Sequence, residues 1–527
     1  MSSENPTKQN LASLTLAALG VVYGDLGTSP LYAMRESLLG ITISPMHILG
    51  VLSLVFWTLM IVISIKYLII LLKADNEGEG GILALLALVK RAKKGHNTLF
   101  FMIAIFGAGF IIGDGMLTPA ISVISAIEGI HVIFPALSDW VLPLTAVILI
   151  GLFSLQYLGT AKIGFVFGPM ILLWFITLAA LGLPHIWHTP LVLKAINPLY
   201  AIDFFKETGW TGYLLLGGIF LVATGAEALY ADLGHFGKRP IRMGWFAVAL
   251  PALLINYFGQ GAFLLEHPEG INNPFYLLAP SWFFLPLLII ATLATIIASQ
   301  AIISATFSLT RQAILQGLYP RLVIMQTSAS ERGQIYIPQM NFTLAIGTLL
   351  LIFTFKSGNG LAHAYGVAVN LNMVLTTLLT LVVAIHQWRW HWIWVVITFS
   401  CLCVVDFAFL GANLHKIVTG GWVPVVFALL CAFVMYTWQA GRKYLSKTYY
   451  MQQEQLNKIL RQFSYRSIRR LSDVTAVFIT DIYDKSGGSI LHFLKLNRTL
   501  PEKMILLNYH TENIPYVNPK DRFEIHV

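Results

Sequence analysis

Charged residues and cysteine are both scarce in this chain. Of its 527 residues only 11% are charged and 57% are hydrophobic, whereas a soluble globular chain carries about 25% charged residues. Polar residues are too few to cover a soluble core over the first 440 positions, so lipid must be the solvent for most of the chain. The three cysteines, Cys401, Cys403 and Cys431, lie in apolar runs. This context predicts small buried core residues and favours neither a metal pair nor a disulfide framework.

Several catalytic and targeting signals are missing as well. Residues 1–10 are polar, with one lysine and no basic region before a short apolar core, so no cleavable signal peptide is predicted. No Walker sequence, zinc signature or supported Ser/His/Asp arrangement is present, which argues against ATPase and hydrolase functions. The sequence predicts a protein that is not an enzyme, with no cofactor and no nucleic-acid partner.

Long apolar segments take the place of these signals. A membrane-spanning helix needs about 20 mostly apolar residues. Twelve segments meet this description: 13–39, 45–72, 99–131, 140–158, 163–183, 211–235, 243–265, 281–315, 341–356, 361–385, 392–412 and 418–440. The third and the eighth exceed one bilayer thickness and should tilt or protrude. The expected fold is an all-α polytopic membrane protein whose transmembrane domain covers residues 1–440.

Basic residues are distributed unevenly among the connecting loops. With the N-terminus inside, the inner loops carry thirteen Lys and Arg residues, whereas the outer loops carry four, namely Lys194, Lys206, Lys356 and Lys416. The positive-inside rule therefore predicts that both termini of this multi-pass protein lie in the cytoplasm.

The chain changes character after residue 440. Residues 441–527 contain 14 Lys and Arg against 8 Asp and Glu, a balance that suits either an anionic cytoplasmic leaflet or an ordinary solvated domain. A basic linker helix at 442–470, strands at 474–480 and 504–509 and a helix at 486–497 predict a small cytoplasmic α/β domain. Its strand-like end at 523–527 leaves open whether the domain is complete.

Acidic residues inside the apolar segments point to an ion site. Charged groups in a bilayer are costly and usually face a cavity or a partner. Carboxylates without matching cations predict cation or proton handling. Lys66 is the main basic exception, and it can either snorkel to the interface or pair with one of these acids. The acids are Asp25, Asp114, Glu128, Glu227, Asp232 and Asp406.

Two of the predicted spans contain sequences that should interrupt a helix. The first span includes GDLGTSP (24–30), where glycine and proline break the helix. The exposed carbonyls, the Asp25 carboxylate and the hydroxyls are hard oxygen ligands for a hard cation. A proline kink with Asp25 as a cap is the alternative. The sixth span pairs glycine with Glu227 in a comparable way. Breaks in spans one and six predict two inverted repeats of five helices with a site at the membrane midplane.

Two further spans offer side chains that could face this site. Asp114, Thr118, Ser122 and Ser125 share one helix face, and Glu128 continues it. These hydroxyls could instead bond to their own helix or join neighbouring helices. Tyr365 stands beside Gly366, which would admit close approach, and its alternative role is that of an interface aromatic.

Four strings of residues resemble the Kup/HAK/KT family of potassium uptake proteins. They are GVVYGDLGTSPLY (20–32), EGGILAL (79–85), GDGMLTPAISV (113–123) and GAEALYADLGHFG (225–237). The resemblance implies potassium–proton symport in the cytoplasmic (inner) membrane. It also implies the LeuT-like fold of the APC superfamily, with a 5+5 inverted repeat, two extra helices and a cytoplasmic C-terminal domain.

The same resemblance implies roles for individual residues. As potassium ligands it implies Asp25, Tyr32, Thr118, Ser122, Thr224 and Tyr365. As acids of the proton route it implies Asp25, Glu128, Glu227 and Asp406. The residues alone do not decide which acid carries the proton.

Two other functions and two partners remain open at this point. A cation-coupled amino-acid transporter could use the same fold, although Asp25 would repel the substrate carboxylate. A channel-like potassium conductor is the second alternative, although no filter sequence is evident. A homodimer through the tail domains is one hypothesis. Related potassium transporters imply a nucleotide second messenger at the tail, where no phosphate-binding glycine loop is evident.

Overall fold

Helices dominate the part of the chain that the computed structural model describes, which is residues 11–76, 79–93, 98–158, 164–327, 335–464, 469–479, 493, 496–497, 499–507 and 523. The first ten α-helices are α1 (Leu11–Val22), α2 (Gly24–Thr28), α3 (Ala33–Leu38), α4 (Pro45–Thr58), α5 (Ile82–Lys93), α6 (Thr98–Ile127), α7 (Ile130–Ile133), α8 (Val141–Leu155), α9 (Gly164–His188) and α10 (Leu199–Ile219). The next ten are α11 (Ala226–Ala231), α12 (Leu233–Phe236), α13 (Lys238–Gly244), α14 (Leu250–Glu266), α15 (Pro274–Leu277), α16 (Phe284–Leu315), α17 (Pro338–Phe355), α18 (Gly358–His386), α19 (Trp392–Leu414) and α20 (Trp422–Ser464).

Short 3₁₀ and π segments extend or join several of these helices. The π-helical segment Leu59–Ile70 continues α4, and two others occupy Trp245–Ala249 and Ile417–Gly421. The 3₁₀ segments are Ser29–Leu31, Leu71–Lys73, Pro135–Trp140, Gln156–Leu158, Pro190–Ile196, Phe220–Ala223, Pro268–Asn272 and Ser281–Phe283.

Ten helical segments in the described residues are long and apolar enough to cross a membrane. They are Pro45–Lys73, Thr98–Ile133, Pro135–Leu155, Val166–His188, Lys238–Glu266, Ser281–Leu315, Pro338–Phe355, Gly358–His386, Trp392–Leu414 and Ile417–Leu445. The pair Leu11–Val22 and Gly24–Leu31, bent by 61°, makes an eleventh if it counts as one span. The two segments expected to exceed a bilayer are 36 and 35 residues long.

The sixth expected segment, 211–235, is divided. α10 ends at Ile219, a 3₁₀ turn occupies Phe220–Ala223, and α11 begins only at Ala226. Both segments that carry interrupting residues are therefore broken. The inverted 5+5 repeat stays a prediction.

The chain divides into two compact units, one of residues 1–316 and 321–433 and the other of residues 317–320 and 434–527. The first contains the short antiparallel pair β1 (Met325–Gln326) and β2 (Ile335–Tyr336). The second contains β3 (Arg469–Ile479) and β4 (Thr499–Leu507), which pair in parallel with an irregularity between Leu471 and Thr475. The two strands predicted for the tail fall on β3 and β4. The helix predicted at 486–497 lies outside the described residues except for positions 493, 496 and 497.

The prediction that the cysteines are buried core residues is wrong. Cys401 on α19 is exposed, and Cys403 and Cys431 are partly exposed. Apolar runs in a membrane protein face lipid as often as protein, so local hydrophobicity does not report burial inside the protein. Among the described residues no group of three or more His, Cys, Asp and Glu could hold a metal ion.

Close helix packing depends on glycine at several positions. α9 packs along α14, and a Cβ added to Gly259 would collide with the backbone of Gly182. Backbone cannot rotate away as a side chain can, so a larger residue at Gly259 must separate the two helices.

We therefore expect Gly259→Val to destabilise the membrane unit by about 1–3 kcal/mol, the usual cost of overpacking. The apparent melting temperature of the detergent-purified protein measures this. Gly151→Val is the matched control, since a Cβ at Gly151 on α8 meets nothing within 4 Å. Equal melting temperatures for the two variants would contradict the role of the α9–α14 approach.

Candidate ion-binding site

The break in the first span is held in place by its neighbours. α1 ends at Val22 and α2 begins at Gly24, so the chain changes direction at Tyr23. The Tyr23 hydroxyl donates to the carbonyl of Ile241. The indole Nε1 of Trp174 donates to the carbonyl of Gly27 at 2.8 Å. Both tethers are buried, so the interrupted backbone is fixed within protein, as interrupted backbone at membrane depth requires.

Asp25 stands in the first turn after this break and is 3% exposed. Its Oδ2 accepts a hydrogen bond from the Tyr365 hydroxyl at 2.8 Å. Its Oδ1 is buried and has no partner among the described residues. No side-chain capping bond is made at the start of α2. Asp25 is therefore not a helix cap, and its carboxylate keeps one oxygen available for a ligand.

A chain of polar side chains leads from Asp25 to a second carboxylate. The Tyr365 and Thr118 hydroxyls lie 3.0 Å apart, and Thr118 lies 2.6 Å from Asp114 Oδ1. Tyr365 is fully buried, so it is not an interface aromatic. The four groups connect α2, α18 and α6 in the order Asp25, Tyr365, Thr118, Asp114.

A second group of hydroxyls joins the two broken segments. Ser29 Oγ lies 3.1 Å from Thr224 Oγ1 and 3.4 Å from the Tyr32 hydroxyl. Tyr32 and Thr224 are 3.3 Å apart. Thr224 follows the 3₁₀ turn that ends α10, and Tyr32 follows the one that ends α2. The two interruptions thus place their hydroxyls against each other.

The main-chain carbonyl of Asp25 connects the two groups. It accepts from Thr28 Oγ1 at 2.9 Å and from Ser29 Oγ at 3.4 Å. Thr28 Oγ1 also lies 3.3 Å from Ser122 Oγ on α6. The six residues predicted as potassium ligands therefore lie in one buried network: Asp25, Tyr32, Thr118, Ser122, Thr224 and Tyr365. Their roles as ligands stay predictions.

The other three predicted acids lie outside this network. Glu227 is buried, and its Oε1 accepts from the Tyr67 hydroxyl at 3.1 Å. Glu128 lies 3.3 Å from Arg35 Nη1 and accepts from the backbone N–H of Gly358 at 2.7 Å. Asp406 pairs with Lys66 at 2.7 Å. Of the two alternatives for Lys66, the structure shows pairing.

Some residues of these networks are not among the potassium ligands and proton-route acids that the resemblance implies. Thr28 and Ser29 are part of the interrupting sequence that was noted, and Asp114 shares the helix face of Thr118. Those signals pointed all three towards the site without assigning them as ligands. Arg35, the partner of Glu128, carries no such signal, because only the fold brings α3 to the end of α6.

Two family models match most of this chain. Residues 12–443 match the model of the K+ potassium transporter integral membrane domain, and residues 473–527 match that of the K+ potassium transporter C-terminal domain. A probable potassium transport system protein Kup 1 from Legionella pneumophila (strain Corby) is 58% identical over 97% of this chain and 81% of the relative. A Kup 2 protein from strain Lens is 49% identical over 100% of this chain and 84% of the relative.

Among solved structures, this chain has a distant similarity to a metal-ion transporter. It is the manganese transporter of Eremococcus coleocola, which covers 83% of this chain and 96% of its own at 11% identity. Its TM-score of 0.45 is too low to support an argument about fold or ion.

The helical spans indicate a polytopic membrane protein, and the match to potassium transporter domains makes it a transporter and not an enzyme. The match over most of the chain makes it a member of the Kup family of potassium transporters.

The close packing of the two broken segments can be tested at Gly225. Its φ is +91°, a conformation that side chains rarely adopt, and a Cβ there would lie 2.9 Å from Asp25 Oδ2. We expect Gly225→Ala to displace the carboxylate and lower the apparent potassium affinity about tenfold or more, as loss of about 1.4 kcal/mol would. Uptake by proteoliposomes over a range of potassium concentrations measures the change.

Gly40→Ala separates backbone strain at a positive φ from contact between the new Cβ and Asp25. Gly40 has nearly the same φ, +87°, but a Cβ there meets nothing within 4 Å. We expect this control to keep the wild-type potassium affinity. An affinity loss of the same size in both variants would show that backbone strain, and not contact with Asp25, is responsible.

Proposed function

We propose that this protein takes up potassium across the cytoplasmic (inner) membrane together with protons. Membership of a potassium transporter family supports potassium over an amino acid as the substrate. The observation that carries the proposal is the buried oxygen network around Asp25, in which one carboxylate oxygen has no partner among the described residues.

The chemistry of this network suits a large, weakly hydrated hard cation. Carboxylate, hydroxyl and carbonyl oxygens are the ligands that hard cations prefer. We propose that Asp25, Tyr32, Thr118, Ser122, Thr224 and Tyr365 supply these oxygens. The buried charge of Asp25 needs a compensating cation, because an unpaired carboxylate in a medium of low dielectric constant is costly.

Counting hydrogens suggests where the transported proton is held. The row Asp25, Tyr365, Thr118, Asp114 contains three contacts of hydrogen-bond length. Its two hydroxyls supply only two hydrogens, because each hydroxyl has one donor. If both carboxylates were ionised, one short contact would join two acceptors. A third hydrogen, on Asp114 or on Asp25, satisfies all three contacts, and the donation from Thr118 to Tyr365 agrees with a hydrogen on Asp114.

This protonation state is also the one that symport needs. Protonated Asp114 donates to Thr118, Thr118 donates to Tyr365, and Tyr365 donates to Asp25. Asp25 then stays ionised and can bind potassium while Asp114 holds the proton. Glu227 is the second candidate for the proton, since it is buried near this site and its Oε2 has no partner in the described part of the chain.

Alternating access follows from the predicted fold. We propose a LeuT-like 5+5 arrangement in which spans one, two, six and seven rock against the rest, with both termini in the cytoplasm. The division near residue 440 into transport and cytoplasmic domains remains part of this proposal. A homodimer through the tail and a nucleotide messenger stay predictions.

Asp25→Asn tests the potassium site. The substitution keeps the size of the side chain and removes its charge, so we expect a loss of about 2 to 3 kcal/mol of binding, or about 30- to 160-fold in apparent affinity. Potassium uptake into proteoliposomes is measured while internal pH is followed. Asp203→Asn is the control, since Asp203 forms only an exposed pair with Lys206.

Each outcome of this experiment has a distinct meaning. Potassium entry with matching acidification, both lost in Asp25→Asn, supports symport through the first break. Uptake without acidification in the unmodified protein keeps the site but removes proton coupling, and currents too large for a carrier indicate a channel. Full transport by Asp25→Asn contradicts the site.

Asp114→Asn tests the position of the proton. The amide can donate to Thr118 as a protonated acid would, but it cannot release a proton. We expect potassium exchange across the membrane to persist while uptake no longer responds to an inward proton gradient. Asp114→Leu removes the donor, so it should lose both potassium exchange and the response of uptake to the proton gradient. If Asp114→Asn acidifies the interior as much per potassium ion as the wild type does, the proton is carried by another acid. Glu227 is then the first candidate.

A further inference from the structure

Lys66 is a fully buried cation deep in the membrane unit. It lies in the π-helical segment Leu59–Ile70, which continues α4, and its side chain is 1% exposed. Its partner, Asp406 on α19, is 2% exposed. A lysine at this depth neither snorkels to the surface nor reaches water.

The ammonium group of Lys66 is completely satisfied by oxygen. Nζ donates to Asp406 Oδ1 at 2.8 Å, to Asp406 Oδ2 at 2.7 Å and to the main-chain carbonyl of Met373 at 3.2 Å. An ammonium has three hydrogens to donate, and three acceptors surround it. The geometry therefore matches a protonated lysine.

The oxygens around Nζ form an arrangement that resembles a cation site. Both Asp406 oxygens, the carbonyl of Met373 and the nearby hydroxyl of Thr377, which lies 2.6 Å from Asp406 Oδ2, belong to α18 and α19. A carboxylate, a carbonyl and a hydroxyl are also the donor types gathered around Asp25. The difference is that here the cation is attached to the chain.

We propose that Lys66 is a built-in cation that permanently neutralises Asp406, so that Asp406 neither binds transported potassium nor carries the transported proton. This assigns Asp406 a role different from the one predicted by resemblance. Lys66 becomes a positioning residue: it holds the segment after α4 against α18 and α19 and keeps this second acidic position closed to mobile cations.

The energetics of buried ion pairs support this role and supply its test. Removing one partner leaves an uncompensated buried charge and is strongly destabilising, whereas replacing both partners by neutral residues is often close to neutral. If Asp406 itself bound and released transported ions, Asp406→Asn would abolish transport. Adding Lys66→Met could then restore stability but not transport.

The experiment is a double-substitution cycle with Lys66→Met, Asp406→Asn and both together. The apparent melting temperature of the purified protein and the potassium uptake of proteoliposomes are measured. We expect each single variant to lose about 5 °C or more and to lose most of its uptake. The double variant should regain more than half of both losses.

A matched cycle uses the same two substitutions at an exposed pair. Lys206 and Asp203 lie 2.8 Å apart but have 71% and 46% exposed side chains. Lys206→Met, Asp203→Asn and their combination should each stay within about 2 °C of the wild type, because surface pairs contribute little. The recovery seen at Lys66 and Asp406 is then specific to the buried pair.

Two results would overturn the proposal. A double variant as stable as the wild type that does not transport potassium would show that Asp406 acts on the transported ions. A double variant no more stable than either single variant would show that the two charges do not compensate each other. Neither readout requires proton coupling, so the proposal can fail or stand independently of symport. If neither single variant can be purified, the double variant alone decides.

Discussion

The contact between Asp25 and the turn at Thr224–Gly225 is the constraint on which the rest of the membrane unit depends. Two helices are interrupted at the same place, and only a glycine at 225 leaves room for the Asp25 carboxylate. Because both interruptions meet there, hydroxyl and carbonyl oxygens from the two broken segments lie together in one buried network. The flanking tethers, from Tyr23 and Trp174, hold the interrupted backbone of the first span in place.

Three of the buried carboxylates, Asp406, Glu128 and Asp25, are stabilised in three different ways. Asp406 lies 2.7 Å from the ammonium group of Lys66, a cation that belongs to the chain itself. Glu128 combines an arginine with a backbone N–H donor. Asp25 has a tyrosine donor and no cation among its described partners. Since burial penalises each charge similarly, Asp25, which lacks a fixed cation, is better suited than Asp406 or Glu128 to bind a mobile cation.

Much of this organisation can be predicted from the sequence, because it depends on local chemistry. The apolar segments, the break at 24–30 and the polar face of α6 are visible as composition and spacing, and the six predicted ligands do meet. The same reasoning failed for the cysteines. Hydrophobicity in a membrane protein marks a residue as apolar without distinguishing lipid from protein as its neighbour. Hydropathy alone marks 211–235 as one apolar segment, and the break within it was predicted from the pairing of glycine with Glu227.

The sequence by itself determined that most of this chain is surrounded by lipid. It also determined the positions at which two helices are interrupted and the family that the chain resembles. These properties are local, since each follows from about 20 residues or fewer. Only the tertiary structure decided which charges are paired. Lys66 and Asp406 are 340 positions apart, as are Asp25 and Tyr365, and no local pattern specifies such partners. Helix packing selects them, because a buried charge is stable only beside the group that the fold places within reach.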